Sequence, residues 1–293
     1  MSHSASINQG TLYVVATPIG NLEDMAPRAV RTLSEVDLIA AEDTRHSGKL
    51  LRHFGIGTKT EAIHEHNERN QVPRLIEILK GGKSIAFITD AGTPLVSDPG
   101  FHLVRAARQA GIRVTPVPGA CAAIAALSAA GLPSDRFVFE GFPPAKSVAR
   151  RAVFEKLCEE GRTLIFYESP HRILESLKDM SEVFGDGREA VLARELTKQF
   201  ETLHSATLAE LLEWVGRDAN QQLGEFVILI HGVPRVEQSA VDEETGRVLK
   251  ILLEELPVKQ AAALAAKITG LKKNKLYEHA LALKRDGQET SEI

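Results

Sequence analysis

The sequence predicts an α/β protein with two α/β domains and a small, all-helical domain at the C-terminal end. Its 293 residues are enough for two domains that each bury a core. Short apolar runs alternate with stretches of helical spacing up to Gly131, which favours parallel strands joined by right-handed crossovers. Further apolar runs follow as far as residue 230, and the chain then continues with helical stretches alone.

Breaks in composition predict the domain boundaries. The turn-rich segment Gly131 to Ser134 is expected to separate a first α/β domain, residues 1–132, from a second, residues 133–232. Residues 233–245 are polar and contain proline, which is typical of a linker. Residues 246–293 form the predicted helical domain.

The overall composition is typical of a soluble globular protein, with 43% hydrophobic and 25% charged residues. No apolar run reaches the roughly 18 residues of a membrane span. The first ten residues lack the basic start and apolar core of a signal peptide, so we expect a cytoplasmic protein without membrane contact. Cys121 and Cys158 are too few for a disulfide framework.

The stretch from Phe87 to Gly100, FITDAGTPLVSDPG, is the strongest candidate for a ligand site. Apolar residues 85–88 predict a buried strand that breaks into a loop, where Gly92 lets the backbone approach a ligand closely. Either Ser97 or Asp98 is expected to cap the helix that follows. The sequence therefore predicts a polar cleft at the carboxyl end of a strand, where open α/β sheets bind ligands.

A dense polar cluster follows the strand predicted at 37–41. Two acids, two bases and a histidine lie within Glu42 to Lys49. Two interpretations agree with this pattern. The cluster is either the reacting edge of a cleft or a solvated loop that leads into a helix at 49–54. The residues alone leave that choice open.

Three patterns that suggest common ligands are incomplete. His64 and His66 resemble a metal pair, but no third spaced ligand is present, so we expect no metal and favour contact of His64 and Asn67 with a polar substrate. Residues 82–84 lack the first glycine of a phosphate loop. The GxGxxA string at 185–190 precedes a strand instead of opening a helix.

The C-terminal segment is basic although the whole chain has a net charge of −4. Between residues 245 and 285 there are nine Lys and Arg but three Glu, and Lys272, Lys273 and Lys275 lie close together. The segment LPVKQAAALAAKITGLKKNKLYEHAL has a small-residue first helix, a glycine turn at Thr269-Gly270 and a basic second helix, as in a helix-turn-helix. Both nucleic-acid contact and plain helical packing or dimerisation explain such a pattern.

Seven motifs together carry a resemblance to a known family. They are LYVVATPIGNLEDMAPRAVRTLSEVDLIAAEDTRHSGKLL, FITDAGTPLVSDPG, PVPGACA, FEGFPP, FYESPHR, ARELTK and GEFV. In this order, over residues 11–231, the sequence resembles the 16S ribosomal RNA cytidine 2′-O-methyltransferases of the tetrapyrrole methylase superfamily. The C-terminal segment is similar to that family's helix-turn-helix extension.

The resemblance implies two α/β domains of the class III methyltransferase type, with S-adenosylmethionine in the cleft between them, and a homodimer. Carried over position by position, it implies a set of cofactor-binding residues. They are Pro18, Asp90, Ala91, Gly92, Thr93, Pro94, Ser97, Asp98, Pro118, Gly119, Ala120, Cys121, Tyr167, Glu168, Ser169, Arg194, Glu225, Phe226 and Val227.

The implied reaction also assigns roles to charged residues. A ribose 2′-hydroxyl is a poor nucleophile at neutral pH and benefits from a general base, for which Glu42, Asp43 and Glu195 are the candidates. Contact with 16S ribosomal RNA, free or within the small subunit, is expected from a further set. That set is Arg45, Lys49, His64, Asn67, Arg172, Lys198, Lys272, Lys273 and Lys275.

Two other functions stay open at the level of sequence. A methylase of the same superfamily that acts on a tetrapyrrole intermediate would also use arginines, but it needs no basic C-terminal helices. A helix-turn-helix regulator would instead sense a small ligand through its α/β body. The sequence leaves open which carboxylate is the base.

Overall fold

A computed structural model describes residues 10–64, 66–233, 243–271 and 273–289. By internal contacts the chain divides into two units, residues 1–233 and residues 234–293. The predicted division near residue 132 and the exact bounds of the linker stay predictions, and most of the linker lies outside the described residues. Within the described part of the chain, no helix is both long and apolar enough to cross a membrane.

The first unit begins with a five-stranded parallel sheet in the order β3-β2-β4-β1-β5. Its strands are β1 (Thr11–Val15), β2 (Leu38–Ala41), β3 (Thr60–Ala62), β4 (Ile85–Ile88) and β5 (Arg113–Val117). The helices are α1 (Pro27–Glu35), α2 (Thr44–His53), α3 (Glu68–Lys80), α4 (Phe101–Gln109) and α5 (Ala122–Ala129). The prediction of parallel pairing is confirmed for this sheet.

Both faces of the first sheet are covered at its centre, which explains why β1, β2 and β4 are apolar on both sides, whereas the edge strands β3 and β5 are partly exposed. Side chains alternate along β1, so that Val15 packs with Leu33 of α1 while Leu12 packs in a separate cluster with Leu103 of α4. Buried strands of this kind read as continuous apolar runs. The sequence pattern found them for that reason.

The strand order places a topological switch point between β1 and β4. The chain leaves β1 towards β2 on one side, whereas it leaves β4 towards β5 on the other side. The loops after two such neighbouring strands diverge and leave a crevice at the carboxyl edge. Residues 16–20 follow β1 there and residues 89–100 follow β4.

A second five-stranded sheet has the order β6-β7-β10-β8-β9. Its strands are β6 (Phe137–Gly141), β7 (Thr163–Glu168), β8 (Glu189–Arg194), β9 (Thr202–Thr207) and β10 (Phe226–Ile230), with helices α6 (Ser147–Leu157), α7 (Ile173–Phe184) and α8 (Leu208–Arg217). The β6–β7 pair is parallel and the other three pairs are antiparallel. The strand β9 and the helix α8 have no counterpart in the sequence prediction, although Thr207 and Glu210 form the capping box that opens α8.

The alanine-rich helix α5 packs against the second sheet. Ala123 and Ala126 lie in one cluster with Ile165 of β7 and Val227 of β10. Small side chains permit this close approach. Because α5 follows β5 of the first sheet directly, it holds the loops of the two sheets next to each other.

Two local predictions around the carboxyl edge are wrong. The helix α2 begins at Thr44 and not near Lys49, because the Asp43 side chain accepts a hydrogen bond from the Arg45 amide and caps the helix. Neither Ser97 nor Asp98 caps α4, since the N-cap is Gly100 with φ 117°. A Cβ at Gly100 would lie 2.3 Å from Cε1 of Phe87, so glycine is needed where the loop passes over β4.

The second unit, as far as it is described, contains three helices, α9 (Glu243–Glu255), α10 (Val258–Thr269) and α11 (Lys273–Glu289). Leu249, Ala261, Ala265 and Leu276 are fully buried and form its core. Gly270 ends α10 in the left-handed conformation, at the turn that the sequence predicted.

Candidate active site

A cavity of about 370 Å³ lies at the switch point and is lined by loops of both sheets. We call it the main cavity. From the first sheet it receives Ile19, Glu42, Asp90, Ala91, Gly92, Thr93, Val96, Ser97, Asp98, Cys121 and Ala122, and from the second Phe142, Tyr167, Glu168, Ser169, Pro170, Leu196, Glu225, Phe226 and Val227. The volume lies in the range of small-molecule and cofactor sites.

Backbone hydrogen bonds join the two loops at the switch point. The Thr17 amide donates to the Gly92 carbonyl over 2.9 Å, and the Gly92 amide donates to the Thr17 carbonyl over 3.1 Å. The Thr93 hydroxyl donates to the Ala120 carbonyl over 2.9 Å, which attaches the same loop to the segment before α5. Gly92 has φ 76°, so its backbone lies in the region that favours glycine.

A network of backbone amides and carboxylates holds the loop after β2 against the loop after β4. The Asp90 amide donates to Oε2 of Glu42, and the Asp43 amide donates to Oδ1 of Asp90, each over 3.3 Å. Glu42 therefore lines the main cavity with one oxygen directed at the Asp90 backbone. Asp43 lies outside the cavity wall, where hydrogen bonds from Arg45 hold its pKa at about 2.

The wall of the main cavity is acidic. Among the described residues that line it, Glu42, Asp90, Asp98, Glu168 and Glu225 carry carboxylates, and none is a Lys, Arg or His. Burial raises the pKa of Asp98 to about 6, and the charges of Glu42 and Asp90 act in the same direction. Burial likewise raises the pKa of Glu42, against the hydrogen bond from the Asp90 amide.

Aromatic side chains form the wall on the side of the second sheet. The Tyr167 hydroxyl accepts a hydrogen bond from the Ala123 amide over 3.1 Å, so it connects β7 with the first turn of α5. Phe142 and Phe139 meet the Tyr167 ring edge to face, with centroids 5.5 and 5.0 Å away. Burial is the main cause that raises the pKa of Tyr167, which keeps this hydroxyl neutral.

Glu168 is held by the protein itself. Its carboxylate accepts hydrogen bonds from the Ser169 amide and the Ser176 hydroxyl, and Arg172 forms an ion pair with it over 2.9 Å. The Arg172 guanidinium, predicted to contact RNA, is thus engaged by a buried carboxylate. Because Arg172 pairs with its carboxylate, Glu168 contributes mainly to the shape of the cavity wall and less to its charge.

Arg194 does not line the main cavity. Its guanidinium is buried and donates to the carbonyl oxygens of Leu223, Asn220 and Phe200 over 2.7, 2.8 and 3.3 Å. This residue fixes the loop before β10, which carries Glu225 at the cavity. Arg194 therefore supports the cavity wall without lining it.

Glu195 and Lys198 form a compact charged group beside the cavity. Oε1 of Glu195 accepts from the Glu225 amide over 3.0 Å and from Nζ of Lys198 over 2.8 Å. Burial raises the pKa of Glu195, but the hydrogen bond from Lys198 and other contacts bring it below the usual value. The Lys198 stem packs on Gly20, where an added Cβ would lie 2.4 Å from Cγ of Lys198.

Backbone strain is concentrated in the two loops beside the cavity. In the described part of the chain the non-glycine residues with positive φ are Leu95, Ser97, Glu195 and Thr197. Such conformations cost of order 1–3 kcal/mol each and persist where surrounding contacts determine them. Both loops are held by the contacts described above.

Several predicted cofactor residues lie next to the cavity and not in its wall. These are Pro18, Pro94, Pro118, Gly119, Ala120 and Arg194. Glycine at 119 is required by packing, because an added Cβ would lie 2.9 Å from the Ala16 side chain. The lining residues that the sequence prediction missed are Ile19, Val96, Ala122, Phe142, Pro170 and Leu196. All six lie within the seven motifs quoted above, and this was the sequence signal that could have identified them as lining residues.

The residues predicted to contact RNA have unequal freedom to do so. Arg45 pairs with Asp43 at the surface, where it is 91% exposed. Asn67 accepts from the His64 amide and donates to the Ala62 carbonyl, so it shapes its own turn. Lys273 and Lys275 begin α11 in the separate helical unit, and Lys272 lies outside the described residues.

Lys49 lines a second cavity of about 360 Å³, which shares Asp90 with the main cavity. His64 and His66 lie with ring centroids 6.0 Å apart. Nowhere in the described ranges do three His, Cys, Asp or Glu residues come together in a group that could hold a metal ion.

Comparison with known proteins identifies the family. The sequence profile of the family described as Tetrapyrrole (Corrin/Porphyrin) Methylases matches residues 11–212. The chain belongs to the tetrapyrrole methylase family. A second profile, described as the RsmI C-terminal HTH domain, matches residues 239–284. The resemblance found from the motifs and the predicted fold class are confirmed.

Relatives that match nearly the whole chain are named as methyltransferases. The chain is 63% identical to "Ribosomal RNA small subunit methyltransferase I" of Pseudomonas aeruginosa, over 94% of this chain and 98% of the relative. It is 56% identical to the protein of the same name in Escherichia coli O157:H7, over 95% and 97%. Among solved structures, uroporphyrin-III-C-methyltransferase from Thermus thermophilus covers 77% of this chain and 96% of its own length, with a TM-score of 0.54 and 21% identity. This similarity shows that the two proteins share a fold.

The chain is therefore a methyltransferase of a family whose methyl donor is S-adenosylmethionine. The residues present suit that donor. Its sulfonium is a cation, and among the described residues that line the main cavity five carry carboxylates and none carries a cationic side chain. Phe142 and Tyr167 offer flat apolar surface for the adenine ring.

Replacing Asp98 with Asn is expected to stabilise the free protein in a pH-dependent way. Because the folded-state pKa of Asp98 is about 6 and lies above the unfolded value, folding stability falls as pH rises from about 4 to about 6. Asp98→Asn removes the carboxylate and with it this decrease in folding stability. Thermal unfolding should thus show a higher Tm than the parent at pH 8 and an equal Tm at pH 4.

Asp43→Asn is the matched control, since the pKa of that partly exposed carboxylate is lowered and not raised. Its Tm should not exceed that of the parent at either pH. If Asp98→Asn also brought no gain at pH 8, the assignment of Asp98 as a partly buried carboxylate whose charge is disfavoured would be wrong.

Proposed function

We propose that the chain transfers a methyl group from S-adenosylmethionine to the 2′-hydroxyl of a cytidine in 16S ribosomal RNA. The observation that carries the proposal is Glu42, a carboxylate of raised pKa in an acidic cavity at the switch point. Such a cavity suits a cationic donor and supplies a base at the same place. The RNA substrate is supported by the names of relatives that are 56–63% identical, and the cytidine and the 2′-oxygen by the motif resemblance.

The residues of the first sheet would hold the donor. When bound, S-adenosylmethionine supplies an electrophilic methyl group on sulfur. Gly92 and its neighbours Ala91 and Thr93 present backbone to the cavity, and the Thr17–Gly92 hydrogen bonds keep that backbone in place. A wall fixed before binding lowers the entropic cost of aligning donor and acceptor.

The second sheet would close the site. Tyr167 and Phe142 cover the cavity with aromatic surface, and Phe226 and Val227 continue it along β10. The Glu195 to Lys198 loop connects with Gly20 of the first sheet and with Glu225. These contacts hold both halves of the site together and limit the access of water.

Among the candidate bases, Glu42 is favoured. A general base near the reaction pH needs a carboxylate that is not already stabilised by cations. Hydrogen bonds from Arg45 hold the pKa of Asp43 at about 2, and Lys198 occupies an oxygen of Glu195, whose pKa is lowered. Glu42 has a raised pKa and lines the cavity itself.

The remaining expectations concern assembly and location. We propose a homodimer in the cytoplasm, with the basic helical unit as an additional contact to RNA. Lys273 is exposed in that unit. A phosphate contact by each such cation would add affinity without sequence preference.

Transfer of a labelled methyl group tests the function. The full chain is incubated with methyl-labelled S-adenosylmethionine and, separately, with 16S ribosomal RNA, isolated small subunits, a tetrapyrrole precursor and duplex DNA. Label in 16S RNA, at a cytidine whose 3′ linkage resists alkali, is the expected result. Label in the tetrapyrrole, or tight duplex binding without any transfer, would contradict the proposal.

Replacing Gly92 with Ala is expected to weaken S-adenosylmethionine binding by about tenfold or more. The added Cβ would lie 3.2 Å from Cγ2 of Ile19 and would force a shift in the cavity wall. Calorimetric titration measures the affinity. Gly82→Ala is the matched control, because Gly82 also has positive φ but has no atom within 4 Å of the added carbon. If both variants bound S-adenosylmethionine with equal affinity, the assignment of residues 90–94 to the cofactor site would be refuted.

Replacing Glu42 with Gln is expected to lower kcat by about 10²–10⁴-fold at saturating substrates, because the amide cannot accept a proton. The parent rate should rise with pH through the raised pKa of Glu42, and this rise should be absent in Glu42→Gln. Glu195→Gln serves as the comparison and should keep the rise. A Glu42→Gln variant with the parental pH profile would exclude Glu42 as the base.

A further inference from the structure

The second cavity adjoins the main cavity and differs from it in charge. It is lined by Pro18, Gly20 and Leu22 of the loop after β1 and by His46, Lys49 and His53 of α2, together with Leu50 and Asp90. Its lining thus contains three nitrogen bases and a single carboxylate, whereas the main cavity wall contains five carboxylates. We propose that the second cavity binds the backbone phosphate of the RNA next to the reacting ribose.

The bases are arranged by the helix. Positions 46, 49 and 53 are three and four residues apart, so their side chains lie on one face of α2. All three are exposed, which lets a ligand reach them from solvent. A phosphate group with two free oxygens is the ligand that several donors on one face recognise.

Lys49 is available to such a ligand, in contrast to the cations around it. Arg45 pairs with Asp43, Arg172 with Glu168, and Lys198 with Glu195 and Glu225. Lys49 makes no ion pair with any residue in the described part of the chain. It is therefore the cation at this edge that a phosphate would meet without first breaking a bond within the protein.

The opposite wall suits the sugar of a nucleotide. Leu22 is 41% exposed and offers apolar surface, and the Pro18 ring lies in the same lining. Gly20 keeps its place because the Lys198 stem leaves no room for a side chain there. The wall is thus apolar, and it lies beside a helix face that carries three nitrogen bases.

The shared residue connects the two cavities in a way that serves the reaction. Asp90 lines both, and its amide donates to Glu42, the favoured base. A ribose attached to a phosphate in the second cavity would present its hydroxyl towards the junction at Asp90, which Glu42 adjoins. The inference rests on the proposed function, since it assigns part of the RNA substrate to this place.

Removing the Lys49 charge tests the inference. Affinity of the full chain for a 16S ribosomal RNA transcript is measured between about 50 and about 200 mM KCl for the parent, Lys49→Ala, Lys49→Arg and Lys156→Ala. Lys49→Ala should bind more weakly and lower the slope of log affinity against log salt by about one unit. Lys49→Arg should restore the slope. Lys156, exposed on α6 and part of neither cavity, should change nothing.

Calorimetry with S-adenosylmethionine separates the possible failures. Unchanged donor affinity in Lys49→Ala, together with a raised RNA KM, supports a phosphate site. An unchanged salt slope in Lys49→Ala, or a loss of donor affinity equal to the loss of RNA affinity, overturns it. If the parent itself neither binds nor methylates the RNA, the proposed function fails, and this inference fails with it.

Discussion

The paired hydrogen bonds between Thr17 and Gly92 are the constraint on which the site depends. They join the loops after β1 and β4 at the point where the chain leaves these neighbouring strands in opposite directions. Without this bridge the two loops would diverge freely. Gly92 makes the bridge possible through its positive φ, and Thr93 extends it to the segment before α5. The helix α5 then packs on the second sheet and brings the other cavity wall into place.

Charge is distributed in agreement with this geometry. Three of the five cavity carboxylates, Glu42, Asp90 and Asp98, lie on the loops after β2 and β4, and burial together with mutual repulsion raises the pKa of Asp98 and Glu42. Arg45, Arg172 and Lys198 are each paired with acids, whereas Lys49 makes no ion pair within the described part of the chain. The result is an acidic cavity next to one lined by three nitrogen bases and a single carboxylate, which suits a cationic donor and an anionic acceptor.

Much of the first sheet could be predicted from the sequence, because strands buried on both faces are continuous apolar runs and each ends in Gly, Pro or acidic residues. The antiparallel half of the second sheet was harder. The strand β9 is partly exposed and polar, so Thr202 to Thr207 lacks the apolar signal, and its partner α8 was missed with it. The start of α2 was predicted at the wrong residue. Its N-cap, Asp43, lies in a polar cluster whose composition is also typical of a loop.

The candidate site was found through its motifs, and its details depend on contacts that no spacing reveals. The wall position of Phe142 follows from edge contacts with Tyr167. The supporting position of Arg194 follows from three carbonyl oxygens, one of them 29 residues away in the chain. Long-range contacts of this kind decide which motif residues face the cavity and which hold the wall.

The location of the donor tests the central claim most directly. A crystal structure of the full chain with S-adenosylmethionine should place the sulfonium in the main cavity, between the loop at residues 90–98 and Tyr167, with Glu42 beside the methyl group. A donor seated in the second cavity against Lys49, or outside both cavities, would contradict the account.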